Sequence, residues 1–422
     1  MAFHPSRIPV AHLLAAALSA GLSLVAIVAQ AGEEHEFDVV FSEQLSLHSA
    51  FETSASRHPD AGLPAAMRNR ADAEQRFADR WIPDSPTLTG YHLSDRVLDD
   101  RGLYEDEVAL NLPLWMPGEK RSRTGLAEHA SALADAGAAE FSWQVAGEFR
   151  QALWTLIEAR RSWELAGAQV RNLSDVLEQA TLYEEVGDIS RGDLLAVVQE
   201  LAGLKAELLA RDAEYRDAAR TWRALTGMTV APADHREVRS EATEITDTHP
   251  ALSLARGRVA VASARLESLR QGNPIRPVVQ VFWRVNRPDD YSPSDNALGL
   301  GFEVPLGHSP MRGPDVAEAE EALAGVEADL LKRQRELALQ LHEAEHNLET
   351  LARQLEVSRE RMQAADARLE MDRLALELGE ISMQEWLRRL AAYREYEWSH
   401  EMLILRQDAA VAAYNQAVGE TP

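Results

Sequence analysis

The chain of 422 residues carries 68 Asp and Glu against 43 Lys and Arg, a formal charge of −25, with 45% hydrophobic residues but only 6% aromatic ones. Acidity on this scale excludes nucleic acid, or an anionic membrane surface, as the main partner, since both reward clustered Lys and Arg. Cysteine is absent, which excludes disulfides, Cys-ligated zinc and an acylated cysteine anchor.

From the N-terminus, Arg7 precedes a long apolar run that ends at Ala29-Gln30-Ala31, the small-x-small pattern of a secretory signal peptide cleaved after about Ala31. An uncleaved N-terminal anchor is the alternative. No later stretch approaches about 18 uninterrupted apolar residues, so any further membrane contact must be made by strands. The expected mature end, Gly32 to Asp38, sets His35 among Glu33, Glu34 and Glu36. It reads as a solvated terminus with weak affinity for a divalent cation.

The rest of the chain is written twice. "VGDIS" ends at Ser190 and "LGEIS" at Ser382, 192 residues apart, and Pro113 in "VALNLPL" aligns with Pro305 in "LGLGFEVPL" at the same offset. His58-Pro59 matches His249-Pro250, and Pro83 and Pro86 match Pro274 and Pro277, at an offset of 191. The expected divisions are a signal peptide 1–31, an N-terminal segment 32–57, a first repeat 58–230, a linker 231–248, a second repeat 249–419 and a tail 420–422.

Each repeat opens with a helical segment, near Pro59 to Arg80 and Pro250 to Arg270, followed by two short alternating stretches around a polar loop. In the second repeat Val279, Val281, Trp283 and Val285 oppose Gln280 and Arg284, and Leu298, Leu300, Phe302, Val304 and Leu306 oppose Gly299, Gly301 and Glu303. Period two with one apolar face predicts half-buried strands, and about nine residues suffices for a tilted strand to cross a bilayer. In the first repeat Val108, Leu110, Leu112 and Leu114 form the matching face, while "PTLTGYHLS" is a weak strand supported by its repeat partner. Asp95 to Asp106 and Asn286 to Asn296 are the expected strand-connecting loops.

Long heptads come next. Leu341, Leu348, Leu355, Met362, Leu369 and Leu376 recur every seven residues; Phe149, Leu156, Trp163, Val170 and Leu177 hold the same phase one repeat earlier, and Leu194, Leu201, Leu208, Tyr215 and Trp222 continue it on the return helix. Sustained heptads predict helices packed side by side. From Gly118 to Val186 they imply about 100 Å of helix at 1.5 Å per residue. Gly187 and Gly379 are placed to end these helices with positive φ, and Ser190 and Ser382 to cap the next ones.

A strand pair set between a helix and a long helical hairpin, repeated twice, resembles the TolC-type outer-membrane efflux proteins over essentially the whole mature chain. The resemblance implies a mainly α fold with a small β part. Long antiparallel hairpins would form an α-barrel tunnel, and four strands per chain would complete a trimeric twelve-stranded transmembrane β-barrel. It implies the outer membrane as location, with a long periplasmic extension, and a passive efflux duct rather than an enzyme. The implied partners are two further copies of the chain, a periplasmic adaptor, an inner-membrane pump of the RND type and outer-membrane lipid, with no nucleic acid and no cofactor. Four strands leave two open edges, which cannot face lipid, so association of several copies is also the physical expectation, and the resemblance sets their number at three.

The tips carry the resemblance most closely. Val186, Gly187, Asp188, Ile189 and Ser190, with Leu378, Gly379, Glu380, Ile381 and Ser382, match the family's tip turns and are the implied adaptor contacts. The acids six residues after each glycine, Asp193 and Glu385, match the periplasmic gate, where they would favour cations. Arg388 stands where the family carries a further acid, so the selectivity of this gate departs from the pattern. Acids at helix starts also serve the dipole, which is the plainer reading. The lipid-facing strand residues are Val279, Val281, Trp283, Val285, Leu300, Phe302 and Val304. Length, acidity and the lack of an acylated Cys resemble the family's cation-efflux branch, which handles cobalt, zinc, cadmium and copper.

Two other readings compete. A soluble periplasmic coiled-coil scaffold or adaptor would explain the hairpins but not outward apolar strand faces. His342, Glu343 and His346 have the His-Glu-x-x-His spacing of zinc proteases. Their heptad positions face away from the seam, and Arg150 and Trp154 replace the histidines in the other repeat. Chance spacing in an acid-rich helix, with adventitious surface metal binding, accounts for them.

Overall fold

The computed structural model describes residues 39–272, 275–306 and 312–422. The expected signal peptide, the Glu33–Glu36 cluster with His35, and Pro274 lie outside them. Six strands and seven α-helices follow in order: β1 (Val40–Ser42), α1 (Leu47–Arg57), α2 (Leu63–Ala78), β2 (Thr87–Ser94), β3 (Tyr104–Pro113), α3 (Glu119–Val186), α4 (Arg191–Thr226), β4 (Val230–Pro232), α5 (Pro250–Gln271), β5 (Val278–Arg287), β6 (Asp295–Glu303), α6 (Gly313–Glu377) and α7 (Met383–Val418). A 3₁₀ turn, Pro59–Gly62, precedes α2.

The repeat is visible element by element. In both copies a His-Pro pair starts the opening helical segment: His58 Nδ1 accepts from Asp60 N, and His249 Nδ1 from Ala251 N. Proline follows at the first helical position, where its missing N–H costs nothing and its φ is already helical. The long helices have 68 and 65 residues, and the return helices have 36 each.

Two compact units share these elements, and each draws on both repeats. One joins Gln151–His235 to Glu360–Met402 and residues 39–50; the other joins Phe51–Arg150, Arg236–Arg359 and Leu403–Pro422. In the first, β1 and β4 pair in parallel, Phe41 opposite Ala231. The heptad seam is its core: Leu173, Leu194, Val197, Leu201 and Leu204 are buried with Met383, Trp386 and Leu387. Burying each such side chain is worth about 1.5–3 kcal/mol. Trp163, at a predicted seam position, is instead part-exposed and stacked on buried Tyr215, ring centroids 5.5 Å apart.

The second unit holds the four-stranded antiparallel sheet, in the order β2-β3-β5-β6. Its helical part is centred on Phe149, Leu337 and Tyr414, all fully buried. Buried Arg150 fixes the inter-repeat linker there. Its Nε and Nη2 donate to the two Glu237 oxygens at 2.8 and 2.6 Å, and Nη1 donates to Gln416 Oε1 and the Glu420 carbonyl at 2.5 and 2.8 Å. Trp143 and Gln416 lock the C-terminal end of α7 by reciprocal side chain to backbone bonds of 2.8 Å.

Candidate functional site

The sheet separates its side chains by chemistry. Directly opposed residues share a face, and on one face they form apolar rows: Leu88, Leu110, Val281 and Leu300; Val108, Trp283 and Leu298, in a row completed by Gly90; and Leu112, Val279 and Phe302. Leu88, Leu298, Leu300 and Phe302 remain 73–84% exposed in the single chain. Val285 closes this face in a polar row with His92, Asp106 and Asn296, where His92 Nδ1 and Asp106 Oδ1 are 2.6 Å apart. Val304, expected in the last strand, follows its final residue Glu303 and is exposed. The strand starts at Asp295 because Asp295 and Asn296 join the ladder against Asn286 and Val285, and it stops where β5 begins, at Val278. The connecting loops are accordingly shorter than expected, 95–103 and 288–294.

The opposite face is polar and self-paired. Arg284 binds Glu107 Oε2 through Nε and Nη2 at 2.9 and 2.6 Å and reaches Glu105 at 3.3 Å. Asn111 donates to Thr87 and Thr89 across the strand pair. Phe282 lies over Gly299, where a Cβ would overlap the ring. One apolar and one hydrogen-bonding face is the alternation expected of a membrane-spanning barrel segment. β2 and β6 each keep one edge that no strand among the described residues occupies. Among the described residues no helix is long and apolar enough to cross a membrane.

The tips lie in the other unit and are built alike. Gly187 and Gly379 have φ of +86° and +71°, the left-handed conformation in which L side chains are strained. Asp188 N donates to the Tyr183 carbonyl and Gly187 N to that of Glu184; Glu380 N and Gly379 N repeat the pattern on Ala375 and Leu376. Both are Schellman caps. Ser190 then caps α4 in a reciprocal box with Asp193: Asp193 N donates to Ser190 Oγ at 3.1 Å, and Ser190 N and Oγ donate to Asp193 Oδ2 at 3.3 and 2.7 Å. Ser382 Oγ accepts from Glu385 N at 3.2 Å. Ile189 and Ile381 pack on one apolar core, so the two tips stand together. Val186 and Leu378 point to solvent, 72% and 65% exposed.

Of the expected gate residues, Asp193 is engaged in its cap and Glu385 is held by arginines. Arg388 grips the Glu385 carboxylate through Nε and Nη2 at 3.0 and 2.8 Å, and Arg389 Nε binds it at 2.7 Å while its Nη1 reaches buried Asp372 at 2.5 Å. The hydrogen bonds from Arg388, then those from Arg389, pull the Glu385 carboxyl down to about 2. The sequence reading missed Arg389 and Asp372. The signal for Arg389 was present in its spacing, four residues after Glu385 on one helix; Asp372 lies across the turn and needed the fold.

His342 and His346 stack side by side on an exposed face of α6, ring centroids 6.5 Å apart. Among the described residues no three metal-binding side chains converge there or elsewhere. A zinc protease needs a third ligand, and no described side chain supplies one beside this pair.

No protein-family model matches the chain, and no curated protein matches its sequence. Solved structures do. The CmeC outer membrane channel of Campylobacter jejuni superposes with a TM-score of 0.69 at 11% identity, covering 92% of this chain and 90% of that one. The outer membrane protein VceC of Vibrio cholerae gives 0.71 at 15% identity, with 89% and 96% covered. The chain has the TolC-type outer-membrane channel fold. The open state of the MtrE outer membrane channel of Neisseria gonorrhoeae also matches, with a TM-score of 0.61, 13% identity and 88% of each chain covered. CmeC and MtrE are outer membrane channels.

Proposed function

We propose that this protein is the outer-membrane exit duct of a tripartite efflux system, a passive homotrimeric conduit without catalysis. The observation that carries the reading is the sheet, which is apolar on one face, polar on the other, and open at β2 and β6. An open edge in hydrocarbon leaves unpaired N–H and C=O groups at several kcal/mol each, and three copies closing edge to edge remove every one of them. The helical hairpins then extend into the periplasm, with Val186 to Ser190 and Leu378 to Ser382 meeting the adaptor of an RND-type pump. Asp193, Glu385 and Arg388 lie at the gate end, where opening is a two-state movement of the tips biased by the docked pump.

The finer reading, carriage of divalent heavy-metal cations, rests on the net charge of −25 and the absence of cysteine. It draws no support from Glu385, whose charge is already met by two arginines. Deletion of the gene and growth on graded zinc, cobalt, cadmium and copper tests it. Sensitisation restored by the wild-type gene is expected; equal tolerance of the deletion and parent strains to all four metals removes the metal assignment. Loss of export for every compound tried, or for none, decides the duct reading separately.

A further inference from the structure

The helices of the second unit enclose a cavity. It measures about 750 Å³ and is lined by α2, α3, α5 and α6, all within the unit that also holds the sheet. Its floor is apolar, made by residues such as Leu126, Leu133, Val261, Leu269 and Val326. Four arginines, Arg70, Arg123, Arg258 and Arg265, line it as well, with the acids Glu74, Asp315 and Glu318.

In a chain this acidic, arginines usually find carboxylates, and many of the others do. Among the described residues none of these four makes an ion pair, although three acids line the same cavity; Arg258 acts on Glu140 only through its longer-range field. Arg123 rests its guanidinium over the Phe77 ring, 5.5 Å from the centroid, and its buried Nε has no hydrogen-bond partner. Ser268, 5% exposed and part of the lining, has a buried Oγ that is likewise unpartnered. A buried donor left unmet costs about 1–3 kcal/mol, so unmet donors in a cavity of ligand size point to an absent acceptor.

We infer that this cavity binds an amphiphilic anion, an apolar body seated on the α3–α5–α6 floor with one carboxylate or sulfonate held by the arginines and Ser268. The charge pattern selects the occupant. A neutral apolar molecule would leave Arg123 Nε and Ser268 Oγ unmet, a cation would face four arginines, and a small inorganic anion would leave the floor wet. Guanidinium forks match carboxylate and sulfonate oxygens in geometry, which a lysine rim would not. The site stands on one chain's own residues and does not depend on the duct reading; if that reading holds, the cavity is a resting place for amphiphilic cargo.

The test uses the full chain in lipid nanodiscs, with dansyl-undecanoic acid as probe, its methyl ester as the neutral counterpart, and empty nanodiscs as blank. Saturable binding of one probe per chain is expected, about tenfold tighter for the acid than for the ester. Charge reversal at two exposed rim positions, Arg258→Glu with Arg265→Glu, should weaken the acid by about tenfold or more and leave the ester unchanged. Ala130→Trp, which fills the floor, should abolish both; circular dichroism and native mass establish that each variant folds. Uptake equal to that of empty nanodiscs, equal affinity for acid and ester, or indifference to the charge reversal overturns the proposal. A trimer that fails to bind refutes the site while leaving the duct intact, and a binding monomer does the reverse.

Discussion

Leu300→Arg separates a membrane sheet from a soluble one. Leu300 sits in the row Leu88–Leu110–Val281–Leu300, near the middle of β6, and is 76% exposed in the chain. If that face meets water, the change places a charge where water already was, and a surface substitution of this kind costs no more than about 0.5 kcal/mol. If the face meets lipid, an arginine near the bilayer midplane of a β-barrel costs about 2–4 kcal/mol per chain, or roughly 6–12 kcal/mol across three copies. Gln280→Arg is the control: Gln280 is on the opposite face, paired with Asn111 and Gly301, and should cost less than about 1 kcal/mol. Urea titration of folding into phospholipid vesicles reads both variants against wild type. Equal midpoints for Leu300→Arg and Gln280→Arg would refute the assignment of faces.

Other consequences follow from buried polar groups. Arg150 and Glu237 are 5% and 8% exposed, so Glu237→Ala strands a buried guanidinium and should cost about 3–5 kcal/mol, while Arg150→Met with Glu237→Leu should cost far less; thermal unfolding of all three variants checks the order. His249 is buried, and burial first, then the nearby Arg333 charge, brings its imidazole down to about 4 from 6.5. The unfolded chain therefore binds the proton more readily than the folded one, so this contribution is complete above about pH 6.5 and is lost as pH falls towards 4. His249→Asn keeps a cap acceptor and removes the titration, and its stability from pH 7 to 4 should fall less steeply than that of the wild type.

Much of this was legible in the sequence because the chain says it twice. The 192-residue offset located both tips, and Gly187 and Gly379 took the positive φ that their position demanded. The alternation Val279, Val281, Trp283 identified a strand face without any partner in view. What stayed hidden needed pairing across distance. β1 and β4 are three residues each and exist only because Val40 meets Val230. β2 offers one large aliphatic residue, Leu88, among Gly90 and His92 on its apolar face, so its pattern is weak although its ladder with β3 is complete. The neutralisation of Glu385 depends partly on Arg389, which Asp372 anchors from before the turn.

The most direct measurement is the native mass of the protein extracted by detergent from the outer-membrane fraction. A mass of three chains is the expected result, since only closure at the free edges of β2 and β6 satisfies a lipid-facing sheet. Recovery of a single chain in the soluble fraction, without detergent, would contradict the account.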